Sequence, residues 1–290
     1  MTARRRVRIA YQGVPGAFSE EAALGFAPGG EPVGYPTFQE AFAAAAEGSC
    51  DYACLPVENS LAGSINQTYD LLTDSDMNVV GERVVRVHHN LLVKPGVKLE
   101  DVKRVYSHPQ ALAQCMGFIR RHGLEAVTDF DTAGAAKLLA ENGGEGKAAI
   151  ASVRAAAEYG LDVIAEKIED LPFNFTRFFV LAHFDAKTGG GSASGHPEGT
   201  LFKSSLVLAT RHRPGDLVAC LEVFPRHDIN MTKLESRPRR DKPWSYLFYV
   251  DIEGHIDQPN VAAAMTDLMR RAAFVKFLGS YPAAEPTELR

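Results

Sequence analysis

The hydrophobic positions of this chain change their rhythm once. Over roughly the first 185 residues, short apolar runs with strand character alternate with segments whose apolar positions recur at helical spacing. "VRIAYQG" (7–13) predicts a strand running into a Gly-rich turn, and "FSEEAALGF" (18–26) a helix with Ser19 as its candidate cap. "FQEAFAAAAEG" (38–48) is helical and ends at Gly48; "YACLPVENSLAG" (52–63) is a buried strand that turns polar. "VKRVYSHPQALAQCMGFI" (102–119) is a strand and then a helix with Pro109 in its first turn and Leu112, Cys115 and Ile119 on one face. "VTDFDTAGAAKLLAENGG" (127–144), with Thr132 as candidate cap, and "AAIASVRAAAEYG" (148–160) repeat the unit. Such alternation predicts an α/β fold with mostly parallel sheets.

The later residues follow another order. "SSLVLATR" is a strand, "RPGDLVACLEVFPRHD" a helix with Leu217, Leu221 and Phe224 facing one way, and "INMTKLESRPRR" and "WSYLFYVDIEG" are two strands. "PNVAAAMTDLMRRA" is a helix with Val261, Met265, Leu268 and Ala272 on its face, and "AFVKFLGSYP" is a last strand. The order βαββαβ is the ferredoxin-like split motif. Between the halves lies "AKTGGGSASGHPEGT" (186–200), which reads as a flexible linker. The expected division is residues 1–185, a linker over 186–202, a domain over 203–281 and a tail over 282–290.

Composition narrows the chemistry. A net charge of −5 argues against a nucleic-acid partner, and no segment reaches membrane-span length. The start of the chain is too polar for a signal peptide, which points to the cytoplasm. Cys50, Cys54, Cys115 and Cys220 form no C-x-x-C pair and read as buried small apolar residues. His88 and His89 lack metal-ligand spacing with them, so no metal site is expected. The polar residues of the first half recur just after strands, at Gly13–Ser19, Glu58–Ser60, Ser107–Gln110, Thr132 and Ser152. Ligands of open α/β sheets bind there, where helix N-termini favour an anion.

One more stretch breaks the pattern. In "EDLPFNFTRFFVLA" (169–182), Asn174, Thr176 and Arg177 sit among Phe173, Phe175 and Phe178. An arginine among aromatics needs an anionic partner. With "YQGVPGAFSEEAA", "PVENSLAGSI" and "SHPQALAQC", the "NFTRF" segment resembles the catalytic motifs of prephenate dehydratases of the monofunctional bacterial type. "ESRPRR…WSYLFYVDIEGH" resembles the phenylalanine-binding part of their ACT regulatory domain. The resemblance implies a two-lobed, periplasmic-binding-protein-like catalytic domain followed by an α+β ferredoxin-like ACT domain. It implies conversion of prephenate to phenylpyruvate, water and carbon dioxide in phenylalanine synthesis, with feedback by phenylalanine. "GVPGAFSEEAA" equally resembles plant relatives that use arogenate, which would give phenylalanine directly. A non-catalytic amino-acid sensor is the reading from another class.

The reaction aromatises a ring, so it requires no cofactor, metal or covalent nucleophile. It needs a cation for the retained carboxylate, a proton donor at the departing hydroxyl and an apolar ring pocket. Arg177, Thr176 and Phe178 offer these in one tripeptide, although strand alternation puts Thr176 and Arg177 on one ligand only if the segment is irregular. Arg177 can instead pair with Glu58 or Asp170 and join the lobes. The proton comes from Thr176 or from Glu58, the latter if burial raises its pKa; Glu58 can equally be a cap or a lobe bridge. Asn59, Ser60, Gln110, Asn174, Ser19 and Thr132 are the further substrate-binding candidates, with turn chemistry or solvation as the plain alternatives. His108 reads as a cap or structural donor, since "SHPQ" lacks a nucleophile elbow. For the effector, the resemblance points to Gly215, Asp216 and Leu217 opposite Asn230 and Glu235, Ser236, Arg237 and Pro238. Asp216 stands where the family usually has alanine and is either a helix cap or a ligand-facing carboxylate. A homodimer, or a dimer of dimers, through ACT and catalytic domains is expected.

Overall fold

The computed structural model describes residues 5–183, 193, 196–239 and 244–284. Contact density divides them into two units: residues 5–65 with Arg83–Phe178, and Asn66–Glu82 with residues 179–284. Among the described residues the chain thus changes unit three times, once after Ile65 and twice inside strands. Residues 186–192, 194 and 195 of that expected linker, and 285–290 of the expected tail, lie outside the described residues.

In chain order the first elements are β1 (Arg8–Gln12), α1 (Phe18–Phe26), β2 (Glu31–Tyr35), α2 (Phe38–Ala46), β3 (Tyr52–Asn59), β4 (Gly63–Ser64), α3 (Asn66–Thr73), β5 (Met77–Arg86) and β6 (Asn90–Val93). There follow β7 (Arg104–Ser107), α4 (Pro109–Gln114), α5 (Met116–Arg121), β8 (Glu125–Thr128), α6 (Thr132–Asn142), β9 (Lys147–Ala151), α7 (Val153–Tyr159), β10 (Asp162–Ala165) and β11 (Phe175–His183). Two sheets form. One runs β2-β1-β3-β11-β5, with β4 beside β3; the other runs β10-β6-β9-β7-β8. They are the sheets of the two expected lobes. β1 is parallel to β2 and β3, and β7 to β8 and β9, as the strand–helix alternation predicts. β6 departs from that expectation, running antiparallel to β9 and β10. Buried runs such as Ala53, Cys54, Leu55 and Val57 are what a strand covered on both faces requires.

Local chemistry corrects three details. Ala17, not Ser19, is the N-cap of α1, and Ser19 is a buried residue inside the helix. Asp131, not Thr132, caps α6, its carboxylate accepting from the Gly134 amide. The helix expected after Pro109 breaks at Cys115 into α4 and α5, yet Leu112, Cys115 and Ile119 still share one core. His108 is the N-cap of α4, its Nδ1 accepting from the Gln110 amide at 3.2 Å. All four cysteines are free and buried, and burial pushes the Cys54 thiol up to about 12, so it stays protonated. Gly16 is dictated by packing: a Cβ there would lie 2.6 Å from Ala155 Cα, and the residue's φ is +86°. Ser152 fixes that turn by donating to the Gly16 carbonyl at 2.7 Å.

The second unit contains β12 (Phe202–Ala209), α8 (Asp216–Leu221), α9 (Val223–Arg226), β13 (Met231–Pro238), β14 (Tyr246–Glu253), α10 (Pro259–Arg271) and β15 (Phe274–Pro282). Strand order β13-β14-β12-β15 completes the ferredoxin-like fold. The single helix expected before β13 is split near Glu222, because Pro225 has no N–H to bond the Leu221 carbonyl. Val261, Met265, Leu268 and Ala272 of α10 face the core with Leu206, Leu208, Val250 and Ile252 of the sheet. By alternation Tyr249, Val207 and Lys276 occupy the other sheet face, and that face grips α3. Tyr249 and Thr73 hydroxyls lie 2.6 Å apart, and Arg237 donates to Asp70 at 2.9 Å. Lys276 Nζ donates to the carbonyls of Leu72 (2.7 Å) and Thr73 (2.9 Å), and to that of Ser75. Those of Leu72 and Thr73 are carbonyls that a helix C-terminus leaves without intrahelical partners.

Hydrogen bonds to a charged group contribute about 1.5–3 kcal/mol. Part of that is offset here, since burial lowers the Lys276 pKa. Lys276→Met should therefore cost about 1–2 kcal/mol and lower the melting temperature by several degrees. Calorimetric scans of wild type and variant measure it; an unchanged midpoint would show that the α3 carbonyls do not need this ammonium.

Candidate active site

Asn59 ends β3 and is 5% exposed. Its neighbours on the chain fold back at once: β4 pairs Ser64 with Glu58 and Gly63 with Asn59. This tight hairpin points two backbone amides, Leu61 (3.1 Å) and Ala62 (3.0 Å), at Asn59 Oδ1. Asn59 Nδ2 faces Asn174 Oδ1 at 2.8 Å, and the Phe175 carbonyl and Thr176 Oγ1 at 3.1 Å each. Gln110 Nε2, from α4 in the second lobe, reaches Asn59 Oδ1 at 3.3 Å. The sequence candidates Asn59, Gln110, Asn174 and Thr176 are therefore brought together.

An amide nitrogen is not an acceptor, so Thr176 Oγ1 can only accept from Asn59. The threonine's own hydrogen is left to point elsewhere. Gln114 extends the cluster: its Oε1 accepts from Asn174 Nδ2 (2.9 Å) and meets His89 Nε2 (2.8 Å). Neither Gln114 nor His89 is among the substrate-site candidates read from the sequence, where His89 is weighed only as a metal ligand. Gln114 lies on α4 one turn beyond Gln110, and that helical spacing was the available signal. His89 gave no such signal, because its partner is 25 residues away.

The remaining candidates are placed differently. Arg177 Nη1 lies 3.9 Å from Glu58 Oε2, with side chains 13% and 37% exposed. Glu58 adjoins Asn59 and Arg177 adjoins Thr176, so strand alternation sets this ion pair on the side away from the Asn59–Thr176 pair. Ser60 staples the hairpin to the strand: it donates to the Phe173 carbonyl and accepts from the Phe175 amide, both at 2.9 Å. Phe178 is buried at 2% exposure, on the Thr176 side by alternation. Ser19 and Thr132 make no hydrogen bond with the cluster. Ser107 is fully buried and donates to the Ile150 carbonyl at 2.6 Å, so it does not form a nucleophile pair with His108.

The effector candidates line two different concavities. Gly215 and Leu217, with Thr210, His212, Arg213 and Val218, border an open one of ≈ 370 Å³. Asp216 is not among its walls; its carboxylate accepts from the Arg213 amide at 3.1 Å. Arg237 and Pro238 border another of ≈ 410 Å³ with Asp70, Tyr249 and Phe274. Along β13, Glu235 and Arg237 share the face of Tyr249 and Leu247, whereas Ser236 and Pro238 share the opposite one. Asn230 donates to Glu253 at 3.1 Å.

Neutral amides ending in a hydroxyl, brought together by two α/β lobes in a chain that also carries a ferredoxin-like fold, make a site suited to a small polar molecule. The prephenate dehydratase family model matches residues 9–186. An arogenate dehydratase/prephenate dehydratase of Arabidopsis thaliana is 43% identical over 286 residues, covering 96% of this chain and 73% of the relative. A bifunctional chorismate mutase/prephenate dehydratase of Neisseria gonorrhoeae is 39% identical over 287 residues, covering 98% and 76%. Among solved structures, prephenate dehydratase from Arthrobacter aurescens in complex with L-Phe superposes with a TM-score of 0.83 at 31% identity, over 96% of this chain and 90% of that one. GqqA, a quorum quenching acylase, gives 0.85 at 36% identity, over 96% and 98%. The chain belongs to the prephenate dehydratase family.

Burial lowers the pKa of His89 from its usual 6.5, although the Gln114 hydrogen bond and Glu169 oppose the shift. The unfolded chain therefore binds a proton at His89 that the folded one resists. Stability is full above about pH 6.5 and is lost as pH falls from there towards the folded pKa. Melting temperatures between about pH 7.5 and 5.5 should fall more steeply for wild type than for His89→Gln. Parallel slopes would mean that His89 is not held neutral.

Proposed function

We propose that the chain converts prephenate to phenylpyruvate, water and carbon dioxide, with Thr176 as the group that meets the departing hydroxyl. The observation that carries this is the Asn59 amide facing Thr176 Oγ1, which leaves the hydroxyl hydrogen free for a ligand. As the ring carboxylate leaves as carbon dioxide, its bonding electrons enter the ring and expel the hydroxyl. That oxygen needs a hydrogen bond or proton as it departs. Thr176 supplies the hydrogen bond. Glu58, paired with Arg177 on the other side of the strand, does not face that oxygen, which leaves the proton to Thr176. Arg177 balances Glu58 on that side of the strand, and the retained pyruvyl carboxylate takes its donors from Gln114 and Gln110. Phe178 contributes to the apolar wall.

Arogenate is the second reading, favoured by the 43% identical plant relative named for both substrates. Domain limits follow the motifs: catalytic over 1–185, linker over 186–202, ACT over 203–281 and tail over 282–290. No helix among the described residues is long and apolar enough to cross a membrane; the proposed compartment is the cytosol. The ACT fold takes phenylalanine as its effector, supported by the L-Phe complex of the Arthrobacter aurescens relative. β13 ends the sheet, with Leu234 47% exposed, so a second copy can pair there and bring Ser236 and Pro238 of one chain to Gly215–Leu217 of the other. Asp216 acts as a local turn partner rather than a ligand contact.

Thr176→Ala should lower turnover of prephenate by roughly 10²-fold to 10⁴-fold with the fold intact. Ultraviolet detection of phenylpyruvate, with arogenate run alongside, measures it; a loss below about tenfold would make Thr176 structural. Titration calorimetry with phenylalanine should show binding and inhibition, and Asp216→Ala should leave the affinity unchanged. Tighter binding by that variant would place Asp216 at the ligand.

A further inference from the structure

The polar chain ending at Thr176 has a direction, and the direction can be read without locating a hydrogen. The Leu61 and Ala62 amides can only donate, so the Asn59 atom they face is its carbonyl oxygen. The Asn59 NH2 group then faces Asn174, which must present oxygen there and its own NH2 group to Gln114. Gln114 in turn must present its oxygen inward. The last partner of that oxygen is His89 Nε2 at 2.8 Å. A carbonyl oxygen only accepts, so His89 carries its proton on Nε2. Nδ1 of the neutral ring is then a bare lone pair, and it is buried with no hydrogen-bond partner among the described residues. The ring is held from other sides as well. Its backbone amide donates to Glu169 Oε2 at 2.9 Å, and Phe18 meets its face edge-on at 82°. Glu169 Oε1 also lies 2.6 Å from His88 Nδ1, which locks the dipeptide.

We infer that His89 is a positioning residue: its Nε2–H holds the Gln114 carboxamide so that an anionic substrate meets NH2 donors and not a carbonyl oxygen. Two donors, Asn174 and His89, fix Gln114 Oε1. A flipped Gln114 would set its NH2 group against both of them. Without the histidine donor only Asn174 opposes the flip, and the flipped amide turns its oxygen towards a carboxylate. The role of Gln114 at the substrate rests on the reaction proposed above; the tautomer of His89 does not.

Nitrogen NMR of the intact, ¹⁵N-histidine-labelled protein tests the tautomer directly, with the His89 signals assigned by their absence in His89→Gln. A protonated Nε2 with an unprotonated Nδ1 is expected; the Nδ1–H tautomer would overturn the inference. Steady-state kinetics test the consequence. His89→Leu should lower kcat/KM for prephenate by about 10-fold to 100-fold, the loss of the Gln114 hydrogen bond to the substrate's carboxylate. His89→Gln, which keeps an N–H donor, should recover most of it. Equal kcat/KM for the two folded variants would overturn the positioning role. If His89→Leu does not fold, the wild-type tautomer still decides. If wild type does not turn over prephenate, the reaction assignment fails while the NMR result for His89 stands.

Discussion

A buried carboxamide has two hydrogens and one oxygen, and every one of them must find a partner of the right polarity. Asn59 meets that demand with groups from four segments: the hairpin amides of Leu61 and Ala62, Gln110 of α4, Asn174 before β11, and the start of β11 at Phe175 and Thr176. Because the hairpin amides can only donate, they set the polarity of Asn59, and everything outward of it follows. Asn174, Gln114 and His89 are each left one orientation. The site is thus organised by satisfaction of neutral dipoles, with the charged pair Glu58–Arg177 kept to the other side of the strands. Neutral dipoles can stabilise charge that appears during a reaction without themselves changing protonation.

The scaffold serves this arrangement. Ser60 bonds Phe173 and Phe175 and so fixes the height of Thr176 against Asn59. Gly16, too close to Ala155 for any Cβ, and Ser152 hold the first turn of one lobe on a helix of the other. Six residues beyond Ser60 the chain enters α3, whose C-terminal carbonyls are bound by Lys276 of the ferredoxin-like unit. The hairpin that sets the polarity of the site is therefore continuous with a helix held by another part of the chain.

Most of this architecture was legible in the sequence because it depends on local pattern. Period-two and helical spacing of apolar residues gave the α/β repeats and the βαββαβ order, and Val261, Met265, Leu268 and Ala272 face the core that their spacing requires. The motifs "ENS", "SHPQ" and "NFTRF" marked where Asn59, Gln110, Asn174 and Thr176 would be found. Caps were less legible: Ser19 and Thr132 are good capping residues by type, yet the chain enters each helix one or two residues earlier. Helix breaks at Cys115 and Glu222 likewise follow from packing and from Pro225.

What only the tertiary structure decided is polarity and side. The sequence of β11 places Thr176 beside Arg177, but pairing with β3 separates them, one towards Asn59 and the other towards Glu58. It places Gln114 one turn from Gln110 without showing which end of its amide turns inward; His89, 25 residues away, and Asn174, 60 residues away, decide that. It writes "ESRP" as one run, yet the pleat divides the run between two faces of the sheet. A sequence specifies which groups are available and their local period. Hydrogen-bond direction belongs to pairs of groups, and most of the pairs in this site join residues that meet only when the chain is folded.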